Sequence, residues 1–170
     1  MKTSCFVLIF MLFVSSSGLA QDQHIRNHLK SDGTFVVKAV FIDGDGNKWF
    51  GTNHGLLRYN GETWIYYTDT DHLISNEINT LAFELSTSGP ELWVGTNKGV
   101  SVLAYDIDGI TGSTSYTPAS GLMGENISAV AVDSRHNKFF GSEAGITYFH
   151  SGTMDSITYA DYQQSLVNAP

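Results

Sequence analysis

Cysteine is nearly absent: the one copy among 170 residues is Cys5. It stands ahead of an apolar run rather than behind one, where a lipidation cysteine belongs, so lipoprotein anchoring is not expected. Lys2, the apolar run from Cys5 to Val14, and then Ser15, Ser16, Ser17, Gly18, Leu19 and Ala20 have the three-part layout of a secretory leader. Cleavage is expected after Ala20, with an uncleaved anchor as the alternative. The mature chain then carries no thiol, which excludes disulfides and thiolate metal sites and leaves packing to hold the fold, even in an oxidising compartment. Long apolar runs are scarce too. The leader's run is about half the roughly 20 residues that a membrane-spanning helix needs, and no later span qualifies. No stable membrane insertion is expected once the leader is removed.

Positive charge is also short. Lys and Arg number 9 against 17 Asp and Glu, a net charge of −8, so phosphate backbones and anionic lipid surfaces are repelled and nucleic acid is not an expected partner. Catalytic signatures are missing: there is no Gly-x-Ser-x-Gly elbow, no phosphate loop, no His-Glu-x-x-His and no Ser-His-Asp order. No catalytic residue, metal ligand or cofactor is assigned, and the sequence leaves the ligand-binding residues unknown. What remains is ample core material, with 42% hydrophobic and 12% aromatic residues, enough for one folded unit.

That material repeats. Lys48-Trp49-Phe50-Gly51-Thr52, Leu92-Trp93-Val94-Gly95-Thr96 and Lys138-Phe139-Phe140-Gly141-Ser142 align, their second residues 44 and then 46 positions apart. A second glycine follows each at one offset (Gly55, Gly99, Gly145), and reads as the positive-φ residue of a tight hairpin. An alternating apolar strand precedes each, over 37–42, 78–83 and 127–132, with Asp43, Glu84 and Asp133 just after in register. Small residues at Ala39, Thr80 and Ala129 suit inner strands converging on an axis. Outer strands are expected over 64–68, at 115–117 and around 156–159, and Leu73 and Leu122 precede Ile78 and Ile127 by five residues. Four short strands in about 45 residues make one propeller blade. The expected fold is therefore all-β, a partial β-propeller of about three four-stranded antiparallel blades. Its divisions are a leader over 1–20, a ring-closing N-terminal strand within 21–36, and blades over 37–77, 78–126 and 127–170. Trp49, Trp93 and Phe139 are expected in the apolar seams between blades.

Several groups invite a chemical reading. Asp43-Gly44-Asp45-Gly46-Asn47 alternates oxygen ligands as calcium loops do, yet lacks the distal glutamate and reads as a turn. Asp106-Ile107-Asp108-Gly109 reads the same way. His24 and His28 are spaced for a metal pair but have no third ligand, and His54, His72, His136 and His150 fall at turns or links. Asp69 and Asp71 could be offered as a glycosidase pair, but their spacing in sequence says nothing of their separation in space.

The string from Val40 to Tyr59, with Glu91 to Leu103 and Val130 to Phe149, resembles the two-component regulator propeller repeat, and Ser120 to Ile127 is similar to its lead into a new blade. The third copy departs from the pattern at Phe139 and Ser142. The resemblance implies the periplasmic or secreted sensing region of a hybrid or ordinary sensor kinase, non-catalytic in itself, whose partner is a small extracellular ligand, often a glycan. Three blades fall short of the usual ring of about four to eight. The further blades are expected either from a longer sensor of which this is a fragment or from another copy of the chain. A secreted propeller lyase or hydrolase and a protein-interaction scaffold are the alternatives.

Overall fold

A computed structural model describes residues 35 to 158 together with 160, 161, 163 and 164. The leader, the His24 and His28 pair and the ring-closing segment before residue 35 lie outside these residues. Within them stand three four-stranded antiparallel sheets, each ordered as it occurs in the chain. The first holds β1 (Val37–Ile42), β2 (Lys48–Thr52), β3 (Leu56–Tyr59) and β4 (Trp64–Tyr67). The second holds β5 (Ile78–Ser86), β6 (Gly89–Thr96), β7 (Gly99–Tyr105) and β8 (Ile110–Tyr116). The third holds β9 (Ile127–Val132), β10 (Lys138–Ser142), β11 (Gly145–His150) and β12 (Thr153–Ile157). The third outer strand thus starts earlier than its sequence indicated, because the bulk of the alternation lies in Thr153 to Ile157.

The sheets are meanders because each connection is a turn whose residues demand it. Gly55, Gly99 and Gly145 take φ of 130°, 129° and 138°, where a side chain is strained. A Cβ on Gly99 would also lie 2.1 Å from the carbonyl oxygen of Tyr116. The hydroxyls of Thr52, Thr96 and Ser142 donate across these turns to the glycine carbonyls at 2.7, 2.9 and 3.2 Å. Only the hydroxyl is used, which explains why serine stands in for threonine in the third sheet.

Neighbouring sheets stack face to face through two seams. In a strand, alternate residues face opposite sides, and the pairing Phe41↔Trp49↔Arg58 puts these side chains on the face of the first sheet that meets the second. There Trp49 and Leu56 are wholly buried against Leu92, Val94 and Leu103. The second seam buries Trp93, Val100 and Val102 against Ile127 and Phe140. Phe140, not Phe139, therefore fills this seam. Phe139 pairs with Ala131 and Tyr148 on the opposite face, stacked on Tyr148 at 4.9 Å and only half-buried. It holds the register of the two tryptophans, but no described strand packs over it.

The glycine of each Trp-x-Gly motif belongs to the seam as well. A Cβ on Gly51 would lie 2.6 Å from Cγ2 of Ile78, and one on Gly95 would lie 2.5 Å from Cγ2 of Thr80 and 3.0 Å from Cγ2 of Ile127. The first isoleucine of each incoming sheet thus sits over the glycine of the sheet before. Leu73 and Leu122 are buried in the links, each followed by an amide that reaches the incoming sheet: Ile74 donates to Ser101 Oγ at 2.8 Å and Met123 to Thr147 Oγ1 at 2.9 Å.

Candidate functional site

The inner strands β1, β5 and β9 begin at one end of the stack, together with the hairpin turns at Gly55, Gly99 and Gly145 and the links between sheets. At this end the second residues of the three strands are all polar: Lys38, Asn79 and Ser128. Lys38 Nζ donates to Glu77 Oε1 and, at 3.2 Å, to Asn79 Oδ1. Asn79 Nδ2 continues the line to Asn126 Oδ1 at 2.9 Å and to the Ile127 carbonyl at 3.1 Å. Ser128 Oγ donates to the Gly141 carbonyl at 3.2 Å. A lysine, a carboxylate and two amides thus form a ladder that reaches the Ile127 carbonyl of the third blade, with the Ser128 hydroxyl bonded separately within that blade, and the Lys38 and Glu77 side chains keep about a third of their surface exposed, at 33% and 37%. Such a ladder both donates and accepts, and a partly exposed row of this kind can exchange its internal partners for the hydroxyls of a ligand.

The links above the ladder use their acidic groups internally. Asp71 Oδ2 accepts from the Thr68 amide and hydroxyl at 3.1 and 3.0 Å, whereas Asp69 Oδ1 accepts from Asn76 Nδ2 at 2.7 Å. Each carboxylate closes its own loop, and they do not form a shared pair. His72 lies edge-on to Tyr67 with ring centroids 6.1 Å apart.

At the opposite end the three in-register acids do structural work. Asp43 Oδ1 accepts from the amides of Asp45 and Asn47 at 3.1 and 2.9 Å, and Oδ2 accepts from Asn47 Nδ2 at 2.9 Å and from the Trp49 indole at 3.0 Å. Burial works against its charge, yet these bonds hold its carboxyl below the usual aspartate range. The Asp43 to Asn47 loop is therefore a turn saturated by protein donors. Asp133 is bonded likewise by Asn137 and Arg135, with Asn137 dominant in holding its carboxyl low. A lowered value is the opposite of what a general acid needs. Glu84 replaces the aspartate in the second sheet. It accepts from the Trp93 indole at 3.1 Å and pairs with Lys138 at 2.8 Å and with His136 Nδ1 at 2.9 Å.

Arg58 gave no signal in the sequence beyond a basic residue in a strand, yet it is buried in the first seam. Its guanidinium lies 5.3 Å from the Trp49 ring and 6.0 Å from Tyr105, and Nη2 donates to the carbonyls of Asp106 and Ile107 at 3.1 and 3.2 Å. This grip, with Asp106 Oδ1 accepting from the amides of Asp108 and Gly109 at 2.8 and 3.1 Å, makes the 106–109 loop a tethered turn. The Tyr105 hydroxyl is buried without a hydrogen-bond partner of good geometry. Burial first, and then the nearby Asp43 charge, push it well above the usual phenol range. His150 is bound to Asp155 at 2.8 Å on the outer hairpin. Among the described residues no three His, Cys, Asp or Glu side chains gather to hold a metal ion, and no helix is long and apolar enough to cross a membrane.

No family model matches the chain and no curated protein does. Among solved structures it is similar to the extracellular domain of a B. thetaiotaomicron protein assigned as a hybrid two-component system. The identity is 19% and the TM-score 0.62, over 74% of this chain and 17% of that one. Two structures of another extracellular domain from the same organism, described as a one-component system in one case and as a hybrid two-component system in the other, match at 15% and 18% identity. Their TM-scores are 0.35 and 0.38, over 75% and 76% of this chain and 24% and 23% of theirs. The chain spans about a sixth of the length of the first. Its three sheets are blades of a β-propeller, and they share their fold with part of that hybrid two-component system's extracellular domain.

Proposed function

We propose that this chain is a periplasmic or secreted recognition segment of a two-component sensor, and that it offers the strand-start end of its blades to a small polar ligand such as a glycan. The observation that carries this reading is the ladder from Lys38 through Glu77 and Asn79 to Asn126 and the Ile127 carbonyl, which reaches the third blade at one mouth. Its chemistry suits recognition better than turnover. It holds one carboxylate, Glu77, already engaged by Lys38, where glycoside hydrolysis by the common route needs two flanking the bond. The resemblance to a sensor repeat and the fold shared with an extracellular sensor domain support the same assignment. Signal output is left to parts of a sensor beyond these blades.

Titration calorimetry with neutral xylo-, arabino- and fructo-oligosaccharides and with oligogalacturonates tests the reading. Binding by one class, weakened at least tenfold by Asn79→Ala with the far-ultraviolet spectrum unchanged, is the expected result. Cleavage of any of these oligosaccharides on incubation, or binding that Asn79→Ala and Lys38→Ala both leave intact, would sink it.

A further inference from the structure

We infer that the outer rim of the second seam is a binding site for a small guanidinium cation on a short aliphatic stem, with Glu91 as its counter-ion. The site lies on the second blade where the third meets it, at the end of the stack opposite the Lys38 ladder. It stands independently of the oligosaccharide reading.

The two seams are built alike at their centres and differently at their rims. In the first blade Trp49 pairs with Arg58 and Arg58 with Ile65, whereas in the second Trp93 pairs with Val102 and Val102 with Thr114. Val102 therefore stands where Arg58 stands, and Thr114 where Ile65 stands. Both tryptophans still have a cation over the ring. In the first seam it is Arg58 at 5.3 Å, and in the second it is Lys138, from the facing blade, at 5.0 Å. Position 102 is thereby released from carrying charge. The cover differs too. Across the first seam the four-residue turn 106–109 of the second blade accepts from Arg58 through the Asp106 and Ile107 carbonyls. Its counterpart in the third blade has only Ser151 and Gly152 between the strands. A smaller side chain beneath and a shorter turn above leave a cleft of about 250 Å³, lined by Glu91, Val102, Ala104, Gly112, Ser113 and Thr114. A Cβ added to Gly112 would meet no atom within 4 Å, so the cleft is open down to the strand backbone.

Charge selects the occupant. Alternation puts Glu91 on the same face as Trp93, opposite Glu84 in the pairing. Glu84 is matched by Lys138 at 2.8 Å and by His136 at 2.9 Å. Glu91 is half-buried, and its carboxylate has no hydrogen-bond or ion-pair partner among the described residues. Its place in the first blade is held by Asn47, whose amide is spent on Asp43. A partly desolvated carboxylate without a partner favours a cation that donates to both its oxygens, and a planar guanidinium does so in a paired geometry. One blade earlier the chain's own guanidinium fills the same register. Val102 and Ala104 give the stem an apolar wall, and the exposed Thr114 hydroxyl adds an acceptor. The volume falls below the range of about 300 to 1,000 Å³ usual for drug-sized sites, which keeps the ligand small.

Nitrogen–proton correlation NMR on the full chain, titrated with butylguanidinium chloride at constant ionic strength, is the test. Saturable amide shifts are expected at residues 91, 102 to 104 and 112 to 114, with a dissociation constant on the order of 1 mM. Glu91→Gln changes a side chain that holds nothing else and should weaken binding at least tenfold. The neutral isostere butylurea should also bind at least tenfold more weakly. Gly112→Leu places a side chain in open space and should abolish the shifts while the rest of the spectrum is unchanged. Shifts that fail to saturate by about 20 mM, beyond even weak specific binding, overturn the inference. So does butylurea that binds as tightly, or an affinity that either variant leaves intact. None of these outcomes alters the oligosaccharide result.

Discussion

Single side chains decide how the seams hold. Trp93 gives its ring to the core and its indole N–H to Glu84, so Trp93→Phe keeps most of the apolar burial and removes a charge-assisted bond. A loss of about 1.5 to 3 kcal/mol is expected in urea unfolding, against about 3 to 5 kcal/mol for Trp93→Ala. Asp43 and Tyr105 set the pH limits of the first seam. The folded-state value of Asp43 is depressed, so its contribution is present above the ordinary aspartate range and is lost as pH falls through the lower folded value. Urea midpoints compared at pH 5 and pH 3 should therefore drop less in Asp43→Asn than in the unaltered chain. Tyr105 has the opposite sign. Its folded-state value is raised, so its contribution is intact below about 10, the ordinary phenol value, and disappears as pH climbs towards the folded one. Tyr105→Phe should flatten the alkaline limb of a thermal-melt series between about pH 9 and 11.

At the scale of strands and turns, the glycine of each Trp-x-Gly motif is required by side chains packed over it and not by its backbone, whose φ is unremarkable. The space above Gly95 is crowded by Thr80, its cross-strand partner in the same blade, and by Ile127 of the next blade. Gly95→Ala should cost about 1 to 3 kcal/mol, and the second change Thr80→Ser, which removes the nearest methyl, should return part of the loss in the same unfolding assay. The Lys138 to Glu84 pair likewise joins two blades. Lys138→Met leaves a carboxylate that is almost fully buried, and a loss of about 3 kcal/mol is expected. These features mark where the sequence could be read and where it could not. The hairpin glycines and the repeating tryptophans were legible because their causes lie within one blade. The choice between Phe139 and Phe140 was not, since alternation separates the two faces of a strand without saying which face has a neighbour. Arg58 resembled any surface cation until the 106–109 loop was seen to accept its hydrogen bonds. The in-register acids were visible as a pattern, but the indole partners of Asp43 and Glu84 required the fold. For the mouth ladder there was no signal at all: Lys38, Glu77, Asn79 and Asn126 differ in type and do not repeat from blade to blade, and only the fold assembles them.

For the whole molecule, a row of blades in which each touches only its neighbours has a stability close to the sum of unit and junction contributions. A chain ended after Ser120 keeps two blades and one seam but uncovers Trp93, Val100 and Val102. Its urea midpoint should fall, and Trp93 emission should shift to the red even before unfolding. The Ile78 and Ile127 side chains, resting in the gaps left by Gly51 and Gly95, carry this modularity further. Plug and notch lie on successive units, so exchange of genetic segments at the leucine-to-isoleucine links would lengthen or shorten the row by whole cartridges. Every joint in the product would already be a fitted one, and ring size could drift in a lineage without any new contact having to be invented.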